Sequence, residues 1–346
     1  MKSILFTTTA LVAFAGAAAA DGHTSVSFAG EASVEYNSNG AVTTYTTKGE
    51  MTATGSATLD NGLTASTSLT FDAGADATVS AGSISLSSDT ASLTFGKKLD
   101  GAVFTAVGDD YSFGDDNADG IVNDGEEGIA EGVVASVTMG ETTLTVSTPI
   151  AGTIAAADVE VGVNTTAAGW SIGFGLADGA YAMTAAGTAG GADVGFGASS
   201  KNQWDISVAY PVGAVTVSAS TDEGQNWKVG AAYAADGLSA GIELLKGDDW
   251  DLSAGYAADG VVVAIEYGKD KATSLGATYD MGNGLTVGAG METTAAEVTT
   301  NYAFGSFDLG GGAEAFAEYA DGAQVEVGPS ERDIAEGTTV GVSFTF

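Results

Sequence analysis

Three segments, QWDISVAYPVG (203–213), NWKVGAAYAADG (226–237) and DWDLSAGYAADG (249–260), restrict the fold more than any other feature. In the first, Trp204, Ile206, Val208 and Tyr210 share one face of an extended strand, and Asp205, Ser207 and Ala209 share the other. In the second, Trp227, Val229, Ala231 and Tyr233 alternate with Lys228, Gly230 and Ala232. In the third, Trp250, Leu252, Ala254 and Tyr256 alternate with Asp251, Ser253 and Gly255. A period of two is the signature of strands with one apolar and one polar or small face. The pattern also repeats: Trp204, Trp227 and Trp250 are 23 residues apart, as are Tyr210, Tyr233, Tyr256, Tyr279 and Tyr302. Asp236-Gly237, Asp259-Gly260 and Asn283-Gly284 follow the tyrosines closely and match tight hairpin connections. KGDD (246–249) and GKDK (268–271) mark the opposite end, so each repeat is one strand down and one strand up.

The apolar face of this ladder suits lipid. The Trp and Tyr of one strand stand about 20 Å apart at ~3.4 Å per residue. Tilted, that approaches an apolar band roughly 25 Å tall bounded by aromatic girdles. A soluble β-sandwich shares the alternation but calls for larger residues on its second face, which here is Gly, Ala, Ser, Asp and Lys. The expectation is an all-β transmembrane antiparallel barrel, with Trp204, Trp227, Trp250 and the Tyr210 to Tyr302 series facing lipid or a subunit contact. In hydrocarbon every N–H and C=O must be paired, and strands achieve this only in a closed barrel. Alternating segments number about 18 to 22, with about eleven of them in 203–346. The last, TTVGVSFTF, places Val340, Val342, Phe344 and Phe346 on one face and ends on an aromatic residue.

The first residues, MKSILFTTTALVAFAGAAAA, have an early cation (Lys2), an apolar stretch and small residues at 18–20. This pattern reads as a cleaved secretory signal over 1–20, and the barrel is expected over 21–346. Without Lys2 the chain has 9 basic and 45 acidic residues, a formal charge of −36. Such a chain repels nucleic acid, whose phosphates call for Lys and Arg. It has no cysteine, so nothing in an oxidising compartment staples the fold. Beyond the signal, no run of about 18 apolar residues offers a helical membrane span.

Several stretches carry a resemblance: DNGLTASTSL (60–69), ASLTFGKKLDGA (91–102), FDLGGGAEAF (307–316), the terminal VGVSFTF and the signal peptide. Together they resemble the general diffusion porins of alphaproteobacteria, over the whole mature chain. The resemblance implies a 16-stranded, water-filled homotrimeric barrel in the Gram-negative outer membrane. It would sit among outer-membrane lipid and lipopolysaccharide, pass small hydrophilic solutes and ions, and fold its third external loop into the lumen. The pattern count exceeds 16, and segments such as 76–87 and 141–149 then have to be loops or parts of neighbouring strands.

One long stretch breaks the alternation. Residues 99–131, the place of the pore-constricting loop by resemblance, hold ten carboxylates and no Lys or Arg. Within it, DDNADGIVNDGEE (115–127) matches the calcium-loop spacing D-x-[DN]-x-[DN]-G-x5-E. Asp115, Asn117 and Asp119 would offer side-chain oxygens and Ile121 its carbonyl. Asn123 would act directly or through water, Glu126 would close the site bidentately, and Gly120 permits the turn. A structural calcium ion would let such crowded acids fold inside a lumen. Asp109, Asp110, Asp116, Asp124 and Glu127 are the candidate constriction acids, with Lys48, Lys97 and Lys98 as the nearby cations. No Ser-His-Asp, HExxH or CxxC arrangement exists, so the chain is not expected to be an enzyme. Two functions fit. One is a passive outer-membrane channel, cation-preferring because its longest loop is acidic. The other is a secreted calcium-dependent β-rich structural or surface-layer protein, which predicts many calcium repeats where one is found.

Overall fold

The computed structural model describes residues 24–72, 78–99, 101–102, 129–150, 158–269, 272–322, 325–327 and 332–346. Among them, one antiparallel sheet holds 22 strands. In chain order these begin β1 (Thr24–Ser38), β2 (Thr43–Thr58), β3 (Thr64–Asp72), β4 (Thr78–Ser87), β5 (Ala91–Leu99), β6 (Ile129–Met139) and β7 (Thr142–Pro149). There follow β8 (Glu160–Ala167), β9 (Trp170–Ala177), β10 (Ala180–Ala189), β11 (Ala192–Ser199), β12 (Trp204–Val212) and β13 (Val215–Asp222). Next come β14 (Trp227–Ala235), β15 (Leu238–Leu245), β16 (Asp249–Ala258), β17 (Val261–Gly268), β18 (Thr273–Asp280) and β19 (Leu285–Thr293). The sheet finishes with β20 (Thr299–Gly310), β21 (Ala313–Ala320) and β24 (Gly337–Thr345). The remaining strands, β22 (Val325–Val327) and β23 (Arg332–Ile334), pair only with each other. β1 pairs with β2 on one side and with β24 on the other, so the sheet closes on itself.

This corrects the strand number implied by the resemblance. The sheet has 22 strands rather than 16, the upper end of the pattern count. Two of the segments that a 16-stranded barrel would leave as loops or parts of neighbouring strands, 76–87 and 141–149, are β4 and β7, each paired with a neighbour on both sides.

By internal packing the chain divides into two compact units. Among the described residues, the first comprises those of 24–30, 50–188 and 194–206, and contains β3–β9 entire. The second comprises 31–49, 189–193 and 207–346, and contains β13–β21, β24 and the small hairpin entire.

In both units burial runs opposite to that of a soluble protein. In β9, Ile172, Phe174 and Leu176 are exposed while Gly173, Gly175 and Ala177 are buried. In β12, Trp204 is 40% exposed and Asp205 only 7%. Ser147 on β7 and Ser207 on β12 are likewise buried. Apolar side chains outside and small or polar ones inside are the arrangement of a strand between lipid and an aqueous interior. Small polar residues bond across the polar face, as in Ser66 to Ser85 (2.6 Å) and Ser92 to Ser136 (2.8 Å).

The turns explain how the pattern propagates. Asp236 and Gly237 have φ of 53° and 78°, and Asp259 and Gly260 have φ of 52° and 79°. Both central residues lie in the left-handed region, as a two-residue type I′ turn requires. A Cβ on Gly237 would also collide with the Ala257 carbonyl oxygen.

The tyrosine series divides where one turn changes length. Tyr210, Tyr233, Tyr256 and Tyr279 lie exposed on the apolar face as expected, whereas Tyr302 is 4% exposed and faces inward. The cause lies between β18 and β19. Met281 N–H donates to the Leu285 carbonyl (2.9 Å), leaving a three-residue loop, Gly282-Asn283-Gly284, instead of two. The 23-residue spacing continues across this added residue, so Tyr302 lands on the opposite face. It pairs with Gly290, and Phe304 pairs with Gly288, so both rings lie over glycines.

Candidate functional site

The candidate site is the polar face of the closed sheet and whatever folds against it. In the first unit, β5 ends at Leu99, and the next described residues, Gly101 and Ala102, are buried. They lie against β7 and β8 rather than continuing beside β6. Ala102 N–H donates to Ser147 Oγ (2.7 Å), and Ser147 Oγ donates to Glu160 Oε2 (2.8 Å). Ser147 and Glu160 are cross-strand partners, and Ser147 is 1% exposed. A Cβ on Gly101 would meet the Glu160 carboxylate, so the backbone here comes within contact of that side chain. The long loop therefore starts by turning onto the polar face, two strands away from the one it leaves. Neither Ser147 nor Glu160 was singled out in the sequence; their only signal is that both fall in the polar phase of the alternation.

The calcium-loop residues Asp115, Asn117, Asp119, Ile121, Asn123 and Glu126 lie outside the described residues. So do the constriction candidates Asp109, Asp110, Asp116, Asp124 and Glu127. Among the described residues, no group of three or more His, Cys, Asp or Glu is placed to hold a metal ion. The three lysines divide. Lys48 shares the polar face of β2 with Glu50, Thr52 and Thr54 by strand alternation. Lys97 falls on the face of Leu93 and Phe95, opposite Glu131 of β6. Lys98 takes the alternate position on β5, and its side chain lies outside the description.

In the second unit an acidic ladder crosses the polar face, unforeseen from sequence. Glu243 pairs with Asp251 across β15 and β16. Ser253 pairs with Glu266 across β16 and β17, and Glu266 with Ser274 across β17 and β18. Ser274 in turn pairs with Glu292 across β18 and β19. Strands about 4.8 Å apart set the carboxylates at intervals along the wall. Glu243, Asp251, Ser253, Glu266, Ser274 and Glu292 line a groove of about 430 Å³. At one end of this row, Lys228 Nζ lies 3.2 Å from Glu243 Oε2, and both side chains are partly exposed. The ladder was legible in principle, since each acid sits on the small-residue phase of its strand. The repeat drew attention to the apolar phase instead.

Against known proteins, the model of the Gram-negative porin family matches residues 7–273. No curated protein matches the chain. Among solved structures, a substituted variant of Rh. blastica porin is 14% identical and covers 93% of this chain and all of its own, with a TM-score of 0.36. The trimer form of OmpT from Vibrio cholerae is 14% identical over 94% of this chain and all of its own, with a TM-score of 0.36. A loop-deleted form of OmpT is 12% identical with the same coverage and a TM-score of 0.37. Superpositions this loose carry no argument of their own, but the family match spans well over half the sequence and agrees with a closed sheet that is apolar outside and polar within. The chain belongs to the Gram-negative porin family, whose place is the outer membrane.

Proposed function

We propose that the protein is a passive, water-filled diffusion channel for small hydrophilic solutes, that it prefers cations, and that it assembles as a homotrimer. The observation that carries the preference is the acidic ladder Glu243, Asp251, Glu266 and Glu292, in which Glu243 pairs with Lys228. Fixed carboxylates on a pore wall raise the local cation concentration and oppose anion entry. Their reach into the aqueous space is about 8 Å at physiological salt, so the narrowest section governs selectivity. The ten carboxylates of 99–131 act in the same direction. The trimer rests on the family resemblance.

Calcium belongs to this reading through the spacing from Asp115 to Glu126 alone. Bound there, it would supply a positive charge that lets the acids of the loop approach one another. Glu126→Gln removes the bidentate ligand. Melting and loop proteolysis should then become insensitive to chelator, whereas the unsubstituted protein should lose stability in chelator. If calcium and chelator give the same melting and cleavage in the unsubstituted protein, there is no calcium site.

The test of the channel is electrical. Reconstituted in a planar bilayer under a tenfold potassium chloride gradient, it should conduct with a reversal potential of cation-selective sign. A zero or anion-selective potential rules out the preference, and no conductance rules out the channel.

A further inference from the structure

The small hairpin of β22 and β23 stands apart from the 22-stranded sheet, yet its last residue is among the most enclosed in the molecule. Ile334 is 0% exposed and packs with Tyr302, Phe304 and Ala320. All three partners belong to the polar, inward phase of β20 and β21: Tyr302 and Phe304 pair with Ala320 and Glu318, and Glu318 pairs with Thr339 of β24. Elsewhere in the described strands that phase is mostly Gly, Ala, Ser, Thr, Asp, Glu and Lys, whereas here Tyr302 and Phe304 lie on it together, with Phe316 of β21 opposite Ser306 on the same phase.

We infer that the β22–β23 hairpin is an inward-folded obstruction of the channel, held by Ile334 in an apolar seat on the inner wall, and that it limits the size of solute the channel passes. Two independent features agree on it. One is the burial of Ile334 against residues of the inner phase. The other is the three-residue turn at 282–284, whose added residue puts Tyr302 and Phe304 on that phase although the repeat would send Tyr302 outward. An aromatic pair facing an aqueous interior would expose a large apolar area to water, which is unfavourable. Covering it with Ile334 removes that cost and fixes the hairpin without a covalent tie. Val325 pairs with Ile334 and Val327 with Arg332, so the seat positions a backbone-paired unit rather than one side chain.

The inference rests on the channel reading, and its test separates the two. The chain has no cysteine, so a single one reports its own surroundings. In the folded, membrane-inserted protein, Ile334→Cys should resist a small membrane-impermeant maleimide, while exposed Glu336→Cys should label quickly. Equal labelling rates overturn the docking whether or not the protein conducts. In bilayers, Ile334→Asp should unseat the hairpin and raise single-channel conductance about 1.5-fold or more. Replacing 325–334 by a short Gly-Ser linker should do the same without placing a charge on the wall. Protection at 334 with unchanged conductance in both variants overturns the obstruction, and absence of any channel in the unsubstituted protein overturns the channel reading itself.

Discussion

At the scale of single residues, each side chain's face sets what it tolerates. Val208 lies on the apolar face between Trp204 and Tyr210, and Val208→Arg places a charge in lipid near mid-span. The expected loss is about 2–4 kcal/mol. Ser253→Arg sets the same charge on the polar face, opposite Glu266 and two residues from Asp251, and should be nearly neutral. Urea unfolding in lipid vesicles reads both, and equal losses would contradict the assignment of faces. Asp321, just beyond β21, gives a pH signature. Asn301 Nδ2 donates to its Oδ2 (2.8 Å) and Asn301 N–H to its Oδ1 (2.6 Å). These bonds, the side-chain bond foremost, hold its carboxyl below the usual carboxylate range. The folded pKa is the lower one, so the contribution is complete above the unfolded pKa and is lost as pH falls through the folded value. Asn301→Ala should therefore lower the melting temperature at neutral pH and leave it little changed in strong acid. A difference from the unsubstituted protein that does not shrink in acid would contradict this origin.

At the scale of elements, the hairpins carry the logic of the fold. Cross-strand partners always share a face, so a residue added within a turn preserves pairing, while one removed within a strand inverts a face. Deleting Gly282 leaves Asn283-Gly284 as a two-residue turn of favoured composition and keeps Tyr279 opposite Val287. That protein should still give a folded, heat-modifiable band on gels. Deleting Gly288 within β19 forces Val287 or Ala289 onto the polar face, and the folded band should be lost. Folding of both, or of neither, would contradict the argument. Legibility in the sequence followed the same division. β12, β14 and β16 could be read directly, because alternation is strict there and the turns after β14 and β16 are Asp-Gly. The inward Tyr302 was hinted at only by spacing: Asn283 follows Tyr279 by four residues, whereas Asp236 follows Tyr233 by three.

At the scale of the whole molecule, the balance of wall charge gives a prediction of both signs. Glu266→Gln together with Glu292→Gln removes two carboxylates from the groove and should reduce the cation-selective reversal potential. Lys228→Gln frees Glu243 from its only described ion pair and should increase it. If neither changes the potential under a potassium chloride gradient, selectivity lies elsewhere. The sequence by itself determined the all-β class, the two faces of β12, β14 and β16, the outward Tyr210, Tyr233, Tyr256 and Tyr279, and a strand count above 16. These follow from a period of two and from turn residues, which act within a few neighbours along the chain. Only the tertiary structure decided that β1 closes against β24, that Ala102 lands on Ser147 beside Glu160, that four acids from β15, β16, β17 and β19 form one ladder, and that Ile334 packs with Tyr302, Phe304 and Ala320. Each depends on register summed over many hairpins, where one added residue reverses a face, and on contacts between residues far apart in sequence that no local pattern encodes.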